Sequence, residues 1–322
     1  MWNTRVTEML GIQYPIIQGA YGGFGTSAIA TPVSEAGGLG LITAGAFNSI
    51  DKLREDIRKA KSNTDKPVGV NLTAMGMISL DEVCDVVIDE KVPVVETAGY
   101  RCDVYGKRLK ESGIIWIHKV ATMKHALAAE RQGADAVVVV GLEGAGFKST
   151  IQLPTMIAIP WAAKELKVPV IGAGGIADAH GFMATLAMGA EAVYLGTAFM
   201  ATKECPIPDA YKQLLVDGDP VDPKFRDRNL APPNPEDFQK VMSQKGTVSQ
   251  DEWLMKLERV LLKESPDDLP KEMPTEIPVE EVLKLAPGSL AVAVIDKVKT
   301  VKELIDEMIS GAEDIRRRWS LA

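Results

Sequence analysis

Eight short, almost wholly apolar runs recur along the first two-thirds of the chain. They are PIIQG from Pro15, LGLITAG from Leu39, VGVNLT from Val68, VPVVETAG from Val92, IIWIHKV from Ile114, DAVVVVG from Asp135, VPVIGAGG from Val168 and AVYLGTA from Ala192. β-Branched residues dominate these runs and polar residues do not alternate through them, the pattern of strands covered on both faces. Segments with helical spacing lie between them. TMKHALAAERQGA and DAHGFMATLAMGA are the clearest, each closing on Gly-Ala where a helix C-cap belongs. Eight strands alternating with helices predict an α/β fold of the parallel (β/α)8, or TIM barrel, type rather than an open doubly wound sheet.

The alternation stops after ATKECPIP. From Asp209 to Pro287 the chain turns rich in Pro, Asp, Glu and Lys, and the stretches PEDFQKVMSQ and QDEWLMKLERVLLKE have helical character. A small helical cap or insertion domain is expected there. The final SLAVAVIDKVKTVKELIDEMISGAEDIRRR predicts a short apolar run and an amphipathic helix that completes the barrel. The expected division is a barrel of residues 1–208 and 288–322 carrying an insertion of residues 209–287.

In such a barrel the working face is the set of loops at the C-terminal ends of the strands. Those ends read QGAYGGFG, TAGAF, NLTAMG, TAGYRCD, HKVAT, GLEGAGFKS, GAGGIAD and GTAFMAT. Glycine so concentrated at one rim points to backbone amides facing a ligand. GAGGIAD and GTAF follow strands seven and eight, where barrel enzymes bind a phosphate through exposed amides and an adjacent helix N-terminus. Ala173, Gly174, Gly175, Gly196 and Thr197 form the expected cradle.

Composition narrows the partners. The 322 residues are 46% hydrophobic and 25% charged, as in an ordinary globular protein, with a net charge of -8 that offers no footprint for nucleic acid or an acidic membrane surface. A small-molecule substrate fits better. The N-terminus lacks the apolar core of a signal peptide and no run reaches transmembrane length, so a cytoplasmic location is expected. Cys84, Cys102 and Cys205 stand far apart, which argues against a disulfide framework or a cysteine metal site, and no metal is expected.

YPIIQGAYGG, VGVNLT, IHKVATMKHALAAERQGADAVVV, GLEGAG and VPVIGAGGIADAHGFMATLAMGAEAVYLGTAFMATKEC occur in that order. Together they resemble the nitronate monooxygenase (2-nitropropane dioxygenase-like) family of FMN-dependent barrels, which includes enoyl-acyl-carrier-protein reductase II. The resemblance spans about residues 5–208 and, more weakly, VIDKVKTVKELIDEMI. It implies FMN, with its phosphate on the loops already singled out and ring contacts from Gly19, Ala20, Asn71, Lys119, Ala145 and Gly146. It also implies a homodimer. Lys119 would place a cation beside flavin N1 and the C2 carbonyl, where it favours the reduced ring.

Many relatives carry a histidine where GLEGAGF of this chain ends in Phe147, and the resemblance makes that imidazole a catalytic base or substrate anchor. Phe147 exchanges a titratable ring for an aromatic wall. His118 should face away from Lys119 on its strand, and His125 and His180 fall on helices, so none is expected to replace it. Phe147 and Tyr100 are therefore expected against an apolar or aromatic substrate, with Lys148, Tyr21 and Arg101 as the candidate catalytic polar groups. The leading expectation is an ene-reductase that takes reducing equivalents from NADH or NADPH and acts on an enone, a flavone-like molecule or an enoyl thioester. Nitronate monooxygenase, NADH:quinone reductase and a non-catalytic flavin sensor stay open as alternatives.

Overall fold

The computed structural model describes residues 2–20, 23–73, 78–99, 102–146, 149–261, 263, 265–266 and 288–320. All eight runs form strands: β1 (Ile16–Gln18), β2 (Gly40–Thr43), β3 (Val68–Thr73), β4 (Val94–Ala98), β5 (Ile115–Val120), β6 (Ala136–Val140), β7 (Val170–Ala173) and β8 (Ala192–Leu195). Every pairing is parallel, in the order β1-β8-β7-β6-β5-β4-β3-β2. An isolated parallel bridge between Ile17 and Leu39 joins the two ends, making the (β/α)8 barrel.

That seam is short, and a side chain extends it. Gln18, fully buried, accepts from the Leu41 amide through its side-chain oxygen at 2.9 Å and donates from Nε2 to the Gly19 carbonyl at 2.6 Å. The first bond crosses from β1 to β2 and lengthens the seam, and the second satisfies the buried carbonyl that follows β1.

Alternation along each strand separates two cores. Ile17, Leu41, Val94, Ile117, Val138, Ile171 and Tyr194 fill the barrel interior, which Val6 and Leu10 of the helix Arg5–Leu10 close at the strands' N-terminal end. The opposite faces pack on the helices, as Val70, Val95 and Trp116 do with Leu53, Ile57 and Val87. The two helices read most clearly are Met123–Arg131, capped by Thr122, and Ala179–Ala187, capped by Asp178. Each is followed by a glycine at positive φ, Gly133 at 93° and Gly189 at 99°.

The C-terminal helix Val301–Ser320 buries Val301, Ile305, Met308 and Ala312 against Phe182, Ile29 and Val33 of neighbouring helices. Helices Asp209–Val216 and Pro223–Leu230 add Tyr211, Leu215 and Phe225 to that cluster. Helices Pro235–Ser243 and Gln250–Leu261 meet each other instead, through Val241, Leu257 and Val260. No described helix is long and apolar enough to cross a membrane.

Candidate active site

At the C-terminal mouth of the barrel the interior changes from apolar to polar. Asn71 of β3 donates through Nδ2 to Glu96 Oε2 of β4, and the Tyr194 hydroxyl of β8 lies 3.4 Å from the same oxygen. That hydroxyl also accepts the Ala20 amide at 2.7 Å, which fixes the loop after β1. The Lys119 ammonium of β5 stands 5.2 Å from the Tyr194 ring centroid, within cation–π range. Glu96 is fully buried. Burial pushes its carboxyl above the usual range, while the Lys119 charge and the bonds from Asn71 and Tyr194 pull it back. The Tyr194 phenol is raised well above its ordinary value by burial and by Glu96.

Four buried polar atoms in this region lack a partner among the described residues: Thr43 Oγ1, Asn71 Oδ1, Thr73 Oγ1 and Glu96 Oε1. Each sits on a residue that strand alternation aims into the barrel, Thr43 and Thr73 at the ends of β2 and β3, Asn71 and Glu96 further in on β3 and β4. A buried polar atom left unsatisfied costs about 1–3 kcal/mol, so such a cluster marks a place where a polar ligand completes the bonding. Donors, acceptors and one cation around an apolar barrel fit the polar edge of a flavin.

The phosphate loops fit as well. Gly174 and Gly175, at φ 109° and 73°, turn the chain just after β7 in a conformation that side chains rarely adopt. Gly196 starts the short helix Thr197–Met200, and a Cβ added to it would meet no protein atom within 4 Å. Ala173 is buried at the end of β7. The Thr197 side chain is already engaged: its hydroxyl lies 2.8 Å from that of Ser289 and accepts the Ser289 amide at 3.0 Å, so a ligand would meet the backbone here.

The loop after β6 is tied down by a residue that sequence reasoning passed over. Glu143 Oε2 accepts the Thr155 amide at 2.8 Å and the Thr155 hydroxyl at 2.7 Å, and that hydroxyl also lies 3.0 Å from the Gly174 carbonyl. Thr155 opens the helix Thr155–Glu165, whose cap residue Pro154 makes no side-chain cap bond. Glu143 therefore caps that helix from twelve residues upstream and links the loops after β6 and β7. Ala145 and Gly146 are exposed on the same loop.

Gly19, Ala20, Asn71 and Lys119 thus gather at one mouth. Tyr21, Tyr100, Arg101, Phe147 and Lys148 lie outside the described residues. Glu96 and Tyr194 are the polar members that sequence reasoning missed; their signal was a lone carboxylate and a lone phenol inside apolar strands. His118 points away from the mouth. Its Nδ1 lies 2.8 Å from Thr97 Oγ1, which also accepts from Trp116 Nε1 at 2.7 Å, and burial lowers its pKa to about 4. His125 is also lowered by burial, and His180 is exposed beside Asp178. A cavity of about 430 Å³ opens at the other end of the strands, beside Leu10, Lys66 and Val92. The polar cluster, not that cavity, occupies the face on which barrels carry out chemistry.

Fold and site together define a (β/α)8 barrel with glycine-rich loops after strands seven and eight and a polar, cationic mouth. The nitronate monooxygenase family model matches residues 3–83 and 75–229. The chain belongs to the nitronate monooxygenase family. It is 31% identical over 266 residues to a probable nitronate monooxygenase of Staphylococcus aureus, covering 69% of this chain and 75% of that one. It is 36% identical over 214 residues to the (3aS,4S,5R,7aS)-5-hydroxy-7a-methyl-1-oxo-octahydro-1H-indene-4-carboxyl-CoA dehydrogenase of Mycobacterium tuberculosis. That match covers 65% of this chain and only 59% of the relative's length. The solved structure of FabK from Thermotoga maritima is similar over 99% of this chain and 98% of its own, with a TM-score of 0.77 and 32% identity.

Proposed function

We propose that the protein is an FMN-dependent oxidoreductase, and specifically an NAD(P)H-dependent ene-reductase for an activated C=C bond. The observation that carries the flavin reading is the set of unpartnered polar atoms on Thr43, Asn71, Thr73 and Glu96 beside Lys119. The reductase reading draws on the likeness to FabK over nearly the whole chain and on Phe147, which leaves the loop after β6 without the family's histidine.

The chemistry supplied by FMN, when bound, is transfer of two electrons and a proton from NADH or NADPH to the substrate double bond. The amides around Ala173, Gly174, Gly175, Gly196 and Thr197 hold the phosphate. Asn71 and Lys119 meet the polar edge of the ring, and Lys119 supplies positive charge where electron density accumulates. Gly19, Ala20, Ala145 and Gly146 offer backbone that approaches the ring without side-chain bulk. Phe147 and Tyr100 are the residues proposed to give the substrate an apolar wall to lie flat against. Lys148, Tyr21 and Arg101 are the groups proposed to polarise its carbonyl or deliver a proton. Residues 209–287 are proposed as a helical insertion in the barrel, and the working form as a homodimer in the cytoplasm.

Anaerobic titration of the yellow protein with NADH, followed by an enone or an enoyl thioester, tests the reading. Bleaching by NADH and recovery of colour on adding the unsaturated acceptor are expected. The second reading, nitronate oxidation, is favoured by the match to the Staphylococcus aureus protein. Nitronate turnover in air, with no acceptor reoxidising the bleached protein anaerobically, would establish it instead.

A further inference from the structure

Glu96 is among the residues on which the flavin reading rests, has been given no chemical task, and is fully buried in the polar mouth. Its Oε2 is held by Asn71 and faces the Tyr194 hydroxyl, while Oε1 has no partner among the described residues. The charged or titratable groups that act on it from the surrounding strands are Lys119 of β5 and Tyr194 of β8; Asn71 of β3 is neutral. His118, the neighbour of Lys119, is directed to the outer side of β5.

We propose that Glu96 is the proton reservoir of the flavin site, taking up one proton from solvent whenever the bound flavin is reduced by two electrons. The proposal rests on the FMN reading above. Its physical basis is competition for one cation. With the flavin oxidised and neutral, the Lys119 charge supports an ionised Glu96. Reduction adds a negative charge to the same water-poor mouth, and two anions cannot share one ammonium there without a large penalty. Protonation at Oε1 removes the conflict.

The balance is as follows. NAD(P)H gives up two electrons and one proton and becomes NAD(P)+. The flavin gains those two electrons and that proton, and with them one negative charge. One solvent proton forms an O–H bond on Glu96, so the net charge of the site does not change. A carboxyl raised by burial, with one oxygen unpartnered among the described residues, is suited to this exchange.

The test is the equilibrium flavin potential as a function of pH, from about pH 5.5 to about pH 9, the upper reach of a buried carboxyl. Each proton accompanying a two-electron reduction contributes about 30 mV per pH unit. The unmodified protein should show a window of about 60 mV per pH unit, and Glu96→Gln should reduce that window to about 30 mV. A slope of about 30 mV per pH unit throughout in the unmodified protein overturns the proposal. So does a steep window that survives Glu96→Gln, because the proton then resides elsewhere. If Glu96→Gln does not hold FMN, Tyr194→Phe decides: losing a bond that favours the carboxylate should move the steep window to higher pH, and an unmoved window refutes the assignment. A protein that neither carries nor binds FMN overturns the flavin reading and this proposal together; a yellow protein with a shallow slope overturns this proposal alone.

Discussion

Replacing Gln18 by Met would open the barrel at its weakest seam. The substitution nearly conserves volume and leaves no cavity, so its cost comes from two buried backbone groups, the Leu41 N–H and the Gly19 C=O, each losing its side-chain partner. At about 1–3 kcal/mol for each unsatisfied group, the expected loss is about 2–6 kcal/mol, a large share of the about 5–15 kcal/mol that holds a typical fold together. Unfolding entropy of about 2.1 cal/mol/K per residue, summed over 322 residues, converts this into a fall in melting temperature of about 3–9 °C. Calorimetry on the apo protein measures it, with urea midpoints as a second reading. A shift below about 1 °C, the size of a neutral surface change, would show that the Gln18 side chain is not part of the ladder.

Four further outcomes are expected. Glu143→Ala should destabilise the apo protein by about 2 kcal/mol, through loss of a charged cap on the helix Thr155–Glu165, and should weaken FMN binding as the β6 and β7 loops part; unchanged urea midpoint and FMN affinity would refute this. Gly196→Asp adds its Cβ into open space, so apo melting should hold while FMN affinity falls at least about tenfold (about 1.4 kcal/mol) from charge conflict with the phosphate; equal affinities measured by fluorescence titration would remove Gly196 from the cradle. His118 has a folded pKa near 4, below the about 6.5 of an unfolded histidine, so its contribution is complete above about pH 6.5 and is lost as pH falls towards 4. Between about pH 7.5 and pH 4.5 the urea-derived stability should fall about 2.5 kcal/mol more in the unmodified protein than in His118→Gln, and parallel curves would contradict the burial argument. Phe147→Ala should weaken binding of the unsaturated substrate by about 1 kcal/mol or more while NADH reduction of the flavin changes less, and the reverse ranking in stopped-flow traces would move Phe147 to the nicotinamide side.

The barrel was legible because parallel strands covered on both faces leave a strong apolar signature, and all eight runs from Pro15 to Ala192 became strands. The tight turn after β7 was legible because glycine is the residue that positive φ demands, as Gly174 and Gly175 show. Glu96 and Tyr194 were not, since whether a strand residue faces the barrel axis or the helices depends on register, which β4 and β8 do not reveal in isolation. Glu143 escaped for a related reason. The helix it caps begins twelve residues later, and only the folded loop brings them together; the available clue was Pro154, a cap residue without a side-chain oxygen, which leaves amides in need of an outside acceptor. Gln18 looked like an ordinary strand end, because nothing in PIIQG tells that β1 is too short to close the ring.

The excursion from the barrel after β8 departs and returns at one place. Lys203 N donates to Lys299 O at 2.8 Å, Val301 N donates to Glu204 at 2.9 Å, and Thr202 and Lys299 form a parallel bridge. Nearer the site, Ser289 is clasped to Thr197 and Leu290 N donates to Glu143 O at 3.1 Å. The detour's first two helices bury Tyr211, Leu215 and Phe225 in the barrel's outer core and so hold their length. Helices Pro235–Ser243 and Gln250–Leu261 pack on each other, and there added flexible chain costs least: each doubling of a closed loop adds only about 0.6 kcal/mol. A protein engineer can therefore exchange that outlying helix pair for one of another size while the barrel rim keeps its register.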